Sequence, residues 1–283
     1  MRSICFIGAG KVACTVGKYL AEHGVPISGY MDTDMQSADS AADFAGTRTY
    51  EDMSSLVAIS DIIFISTPDD VILSVWDDLK NMDIKDKIIG IFSGSLSSEI
   101  FSGIESTGAH GVSAHPMYAF SDRFSDYRQL HTARFTLEGD DVAVAIIQDM
   151  LEHLGHKVVV IDPENKTRYH AAASIASNLM IGLYDLSLDM LTDCGFTHED
   201  AVSFLSPLIT KNVTAMLTSS PADALTGPIE RGDTETITHH LEVLSPDERD
   251  IYLPLARRLI DIAINKNPGR NYDAMIKLLN ETT

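Results

Sequence analysis

The stretch KTRYHAAASIASN, Lys166 to Asn178, places a lysine, a histidine, a serine and an asparagine at intervals of four. On a helix that interval drifts about 40° per step, which keeps Lys166, His170, Ser174 and Asn178 broadly on one side. Ala171 to Ala173 and Ala176 lie between them and permit close approach by a ligand or a second backbone. A lysine or histidine can deliver a proton, and an asparagine amide can orient an acceptor on which negative charge develops. The same row would equally serve as a buried polar network at an interface. His115, in GVSAHPMYAF, ends an apolar run and is followed by Pro116. A histidine held there could donate to a carbonyl or move a proton near neutral pH. Arg231, in LTGPIERGDTETITHHL, follows a Gly-Pro turn. It could grip a carboxylate bidentately, or pair with Asp233 or Glu235 and only brace the turn. His239 and His240 lack a metal-ligand pattern, so no metal site is expected.

These groups need a partner to act on, and the start of the chain offers one. SICFIGAGKVACTVGKYLAEHG reads as a short β-rich run, a glycine turn and a helix. Gly8, Ala9, Gly10, Lys11, Val12 and Ala13 fit the G-x-G-x-x-A pattern of a dinucleotide-binding βαβ unit. Gly8 permits the turn, Gly10 lets backbone approach a pyrophosphate, and the helix start presents free N–H groups. Asp32, at the end of the second strand, suits a ribose hydroxyl, and no Lys or Arg lies between Tyr30 and Ser40. NAD is therefore favoured over NADP. Asp32 and Asp34 could also be turn residues only. Thr67 and Pro68, in STPDD, and Ser93, in FSGSLSS, stand at later strand ends where the cofactor would lie.

Short apolar runs alternate with helical patterns as far as KVVVID, and afterwards only amphipathic helical segments follow. The fold class expected is α/β: a Rossmann doubly wound, mostly parallel sheet over residues 1–162, then an all-α substrate and dimerisation domain over 163–283. A single long helix is expected over 166–193. Hydrophobic residues make up 45%, enough for a core in each domain. The net charge of −20 opposes nucleic-acid and anionic-membrane partners. No segment is expected to reach the length of a membrane span. Three scattered cysteines and the lack of a leader-like start point to a cytoplasmic protein.

In this order, IGAGKVA, STPDD, FSGSLSS, SAHPM, KTRYHAAASIASN and ALTGPIERGDTETITHHL resemble the Rossmann-like oxidoreductases whose C-terminal half is domain of unknown function 2520. The resemblance covers nearly the whole chain. More distantly, the layout is similar to pyrroline-5-carboxylate reductases, ketopantoate reductases and β-hydroxyacid dehydrogenases. It implies hydride transfer between NAD or NADP and a small carbonyl or hydroxy-acid substrate, with a ketopantoate-like 2-keto acid as the leading guess. His115, Lys166, His170, Asn178 and Arg231 are the candidate proton donors and anchors. The alternatives are a cyclic-imine reductase and a dinucleotide-binding sensor without chemistry. A homodimer through the helical domain is also implied. In the β-hydroxyacid group a lysine and an asparagine four residues later serve catalysis, whereas here His170 stands four after Lys166.

Overall fold

The computed structural model describes residues 2–281. Its first half runs β1 (Ile4–Ile7), α1 (Lys11–Glu22), β2 (Ile27–Met31), α2 (Met35–Ala45), α3 (Met53–Ala58), β3 (Ile62–Ile65), α4 (Asp69–Leu79) and β4 (Ile88–Ile91). It continues with α5 (Ile104–Thr107), β5 (His110–Met117), β6 (Arg134–Gly139), α6 (Asp141–His153) and β7 (Lys157–Val160). The seven strands form one sheet in the order β2-β1-β3-β4-β5-β6-β7. Each neighbouring pair is parallel except β5 with β6.

β1, β3 and β4 read ICFI, IIFI and IIGI, with every residue buried, as strands covered on both faces must be. Alternate side chains feed two cores. Phe6, Phe64 and Val112 meet Val16, Leu20 and Ile147 on one face. Ile63, Ile65 and Ile91 meet Ile72, Trp76 and Leu79 on the other. The chain leaves β1 toward β2 on one side and β3 on the other, so a crevice opens beyond their carboxyl ends.

The remainder is helical: α7 (Lys166–Ala176), α8 (Asn178–Asp193), α9 (His198–Thr218), α10 (Pro221–Ala224), α11 (Pro228–Arg231), α12 (Thr234–Val243), α13 (Pro246–Lys266) and α14 (Asp273–Glu281). The single helix expected over 166–193 is two. Ser177 breaks it at φ −118°, ψ −79°, with its hydroxyl donating to the Ala173 carbonyl at 2.8 Å. Such local bonding competes with the helical ladder. Taken together, Pro163–Asp193 is long and apolar enough to cross a membrane by length and composition, contrary to the sequence expectation.

By compactness the chain divides into Met1–Met180 and Ile181–Thr283. Helix α7 falls in the first unit because its side chains reach β5 and β6. The second unit has its own core of Ile229, Ile237, Leu241, Leu253, Ile260 and Met275. Ser245 and Glu248 start α13 with a reciprocal capping box.

Candidate active site

Two glycines of the first turn do different work. Gly8 has φ +101°, and a Cβ on it would lie 2.5 Å from the Ser66 carbonyl oxygen. Conformation and packing both require glycine there. Gly10 has φ −69° and ψ −172°, open to any residue, and a Cβ on it meets nothing within 4 Å. No contact among the described residues demands glycine at position 10, which leaves ligand approach as its physical use. Gly10 caps α1 without a side-chain hydrogen bond, and the first turn holds no acidic residue. The free N–H groups and the helix dipole are thus available to an anion. Gly10, Lys11, Val12, Thr67, Pro68 and Ser93 line a cavity of about 350 Å³ in front of this turn. The Thr67 hydroxyl is buried there without a partner. An anionic dinucleotide with hydroxyl-rich riboses fits these features, and it would supply hydride chemistry when bound. Ala13 is buried at the third motif position, but the closest helix–strand approach is one turn further on. A Cβ at Gly17 would overlap the Tyr30 hydroxyl.

Asp32 is anchored as well as available. It accepts from the Ala9 N–H at 2.6 Å and from the Asp34 N–H at 2.9 Å, which ties the end of β2 to the glycine turn. Asp34 caps α2 by accepting from Gln36 N–H. A basic residue also reaches this end, from outside the window where sequence reasoning looked for one. Arg123 Nη2 donates to the Ala9 carbonyl at 2.7 Å and to the Ser37 carbonyl at 2.9 Å, 86 residues apart in sequence from the latter. No local pattern marks Arg123, because only the folded path of residues 118–128 brings it there.

The second cluster sits around β5. Ile91, the last residue of β4, pairs with Ser113, so the end of β5 overhangs its neighbour. His115 lies within this overhang, not after the strand as expected, because antiparallel pairing with β6 extends β5 to Met117. Its Nδ1 lies 2.7 Å from the Tyr169 hydroxyl. The ring of His170 stands nearly perpendicular to that of His115, with centroids 6.1 Å apart. Gly94 lies against both: a Cβ there would strike His170 Nδ1 and come within 2.8 Å of His115 Nε2. His170 Nδ1 is buried without a partner. Burial, helped by the charge of Lys166 and by His170, pushes His115 down to about 4 against the pull of Asp69. At neutral pH it is an uncharged imidazole.

Lys166 occupies a different position from its neighbours in the row. It is 1% exposed, and its Nζ donates to Ser113 Oγ at 2.6 Å. Ser113 Oγ in turn donates to the Ser93 carbonyl at 3.4 Å. Fully buried Glu138 lies 3.9 Å from Nζ and accepts from the Ser98 N–H and hydroxyl. The pair therefore holds both ends of the loop that carries Gly94. Burial lowers Lys166 to about 8, outweighing the opposing charge of Glu138.

Asn178 stands exposed at the start of α8, accepting from Ser177 Oγ at 2.9 Å, and Ser174 is half-buried. The row is thus not one surface. Ser93 Oγ donates to Asp69 at 2.9 Å. In the second unit, Arg231 is 59% exposed and 3.9 Å from Asp233, the bracing contact foreseen as one of its two roles. His239 is exposed and His240 Nδ1 meets the Tyr252 hydroxyl at 3.0 Å. No group of three metal-ligating side chains occurs among the described residues. Tyr169, Glu138, Ser113 and Gly94 were not singled out by sequence. Tyr169 lies inside the quoted row, and its position next to His170 was the one signal for it.

Two family models match in series. Residues 3–90 match the NADP oxidoreductases described as coenzyme F420-dependent, and residues 133–259 match domain of unknown function 2520. The chain belongs to the Rossmann-like oxidoreductases that carry DUF2520. This makes it an NAD(P)-dependent oxidoreductase. No curated protein matches it in sequence. Among solved structures, a protein from Thermotoga maritima superposes with a TM-score of 0.75 at 25% identity, covering 93% of this chain and 99% of the other. A Bacteroides fragilis protein described as a candidate NADP oxidoreductase gives 0.72 at 22%, covering 92% and 98%. A pyrroline-5-carboxylate reductase from Coxiella burnetii gives 0.59 at 16%, covering 99% and 97%. The oxidoreductase thus shares its fold along nearly the full length of each.

Proposed function

We propose that this oxidoreductase reduces a small carbonyl compound, or oxidises the matching hydroxy compound, with the dinucleotide over Gly8, Gly10 and Thr67. The observation that carries the reading is the convergence of His115 Nε2 and His170 Nδ1 on Gly94, one residue from the crevice-lining Ser93. The imidazoles would orient the substrate oxygen, where negative charge develops on reduction. Lys166 is committed to Ser113 and Glu138, so we assign it to holding the loop and not to proton donation. Asn178 is exposed at the start of α8, and Arg231 belongs to the second unit, so neither is assigned a role here. For the cofactor, Asp32 and the lack of a nearby basic residue in sequence favour NAD, while Arg123 is a cation that the fold brings to that end. Buried, free Cys5 and Cys14 accord with a cytoplasmic location.

A second reading, reduction of a cyclic C=N bond, is supported by the likeness to pyrroline-5-carboxylate reductase. The 2-keto acid of ketopantoate type gains no support from these relatives. A fluorescence titration with NADH and NADPH, followed by turnover assays on panels of keto acids and cyclic imines, tests both readings. The expected result is tighter binding of NADH and turnover of a carbonyl compound. His115→Ala and His170→Ala should each lower kcat by about 100-fold or more, the usual loss of one oxyanion-stabilising donor. Tight binding without turnover, and variants that behave as wild type, would favour the sensor.

A homodimer through α8 and α9 completes the proposal. These helices bury only Leu188 and Ala201. Leu179, Ile181, Phe204, Leu208 and Leu217 are each more than half exposed. Apolar surface on this scale marks a protein or membrane contact, and the charge of −20 disfavours an anionic membrane. Light scattering should give twice the chain mass of 30.9 kDa. Phe204→Glu with Leu208→Glu should give the single mass, and a monomeric wild type refutes the arrangement.

A further inference from the structure

We infer that Arg123 is a positioning residue: it fixes the Ala9–Gly10 peptide so that the Gly10 N–H is presented to the phosphates of the dinucleotide. The inference rests on the reading of the glycine turn as the cofactor site. In a trans peptide the carbonyl and the N–H point in opposite directions from one rigid plane. Whatever holds the Ala9 carbonyl therefore also aims the Gly10 N–H. Arg123 Nη2 holds that carbonyl, donating to it at 2.7 Å. Gly10 lines the cavity in front of the turn, and among the described residues its N–H has no acceptor. A tether has a purpose here, because glycine leaves its own φ free. Turned over, the same peptide would set a carbonyl oxygen against a phosphate.

The preceding peptide is held too, since Asp32 accepts from the Ala9 N–H at 2.6 Å. An anion and a cation thus pin successive peptides of the turn through charge-assisted bonds, which are stronger than neutral ones. The guanidinium also polarises the Ala9–Gly10 peptide, which makes its N–H a better donor. The arginine is itself held in place. Buried Asp126 accepts from the Ser121 N–H at 2.6 Å and from the Asp122 N–H at 2.9 Å. Asp122 accepts from the Phe124 N–H at 2.9 Å, so residues 121–126 close into a tight loop around Arg123. Phe124 packs edge-on against Phe44 of α2, with ring centroids 5.1 Å apart. The second bond of Nη2, to the Ser37 carbonyl at 2.9 Å, ties the guanidinium to α2. The chain has 41 acidic side chains, yet among the described residues Arg123 forms no ion pair. Its short contacts are two backbone carbonyls, as suits a group that orients the backbone.

Fluorescence titration of Arg123→Met should show NADH and NADPH weakened alike, by about 10- to 100-fold, the worth of one charge-assisted hydrogen bond. A loss confined to NADPH overturns the inference, because the guanidinium would then be a direct ligand of the 2′-phosphate. Affinities within about twofold of wild type overturn it as well. Arg123→Gln serves if the methionine variant folds poorly. A second readout follows the peptide itself. Labelling with carbonyl-13C alanine and 15N glycine isolates the two Ala-Gly peptides of the chain, Ala9–Gly10 and Ala45–Gly46. The Gly10 amide signal, assigned by its loss in Gly10→Ala, should move in Arg123→Met while that of Gly46 stays. In the wild type NADH should shift Gly10 and leave Gly46. A Gly10 signal indifferent to bound NADH, or unmoved in the variant, contradicts the assignment. Failure of the wild type to bind NADH or NADPH refutes the proposed function, and the comparison of wild-type and variant Gly10 signals still decides whether Arg123 orients the peptide.

Discussion

Gly10→Val should abolish dinucleotide binding while leaving the fold intact. Position 10 lies in backbone space that valine can adopt, and a Cβ there meets no described atom within 4 Å. Stability should fall by about 1 kcal/mol or less, the difference between glycine and a β-branched residue at a helix N-cap. Affinity should fall about 100-fold or more, since the isopropyl group fills the approach to the N–H groups of α1 and each charge-assisted bond lost is worth about 1.5–3 kcal/mol. Gly17→Ala is the contrasting control. Its methyl overlaps the Tyr30 hydroxyl, so it should destabilise by about 1–3 kcal/mol through overpacking. Denaturant melts and NADH titration of both variants check the pair. An unchanged affinity in folded Gly10→Val would remove the basis for placing the cofactor there.

Lys166→Met should be among the most destabilising single changes in the sheet unit. Methionine fills the volume, but Glu138 is then left fully buried opposite no cation. Removing one partner of a buried pair typically costs about 3–5 kcal/mol. Replacing both, as Lys166→Met with Glu138→Gln, should recover much of the loss. The pH dependence offers a second check. Lys166 titrates at about 8 in the folded chain against 10.5 as its ordinary value. Between those limits the unfolded chain binds the extra proton, so wild-type stability should gain a rising component with pH from this residue. That component should vanish in the variant. Urea melts across pH 7 to 10 would show it, and a flat difference between wild type and variant would contradict the burial of a titrating lysine.

Much of the sheet unit was legible in the sequence because its signals are local. Ile-rich runs of four can bury both faces only in a covered parallel sheet, and glycines at the end of the first run mark the turn. The periodic row from Lys166 to Asn178 was legible too, yet its single face was not real. The Ser177 break and the commitment of Lys166 to Ser113 depend on a serine's hydrogen bond and on a buried carboxylate 28 residues earlier. Tyr169 was passed over because an exposed-looking tyrosine in a helix has no distinguishing period.

Chain order and residue type by themselves determined the α/β succession, the glycine turn and the presence of histidines near a strand end. Tertiary structure alone decided which nitrogen of His115 is engaged, that Arg123 reaches Ala9, and that Lys166 supports the Ser93–Ser98 loop. The division has a physical cause. Burial patterns and turns repeat over a few residues, whereas a hydrogen bond between distant side chains is fixed by packing that no local spacing encodes.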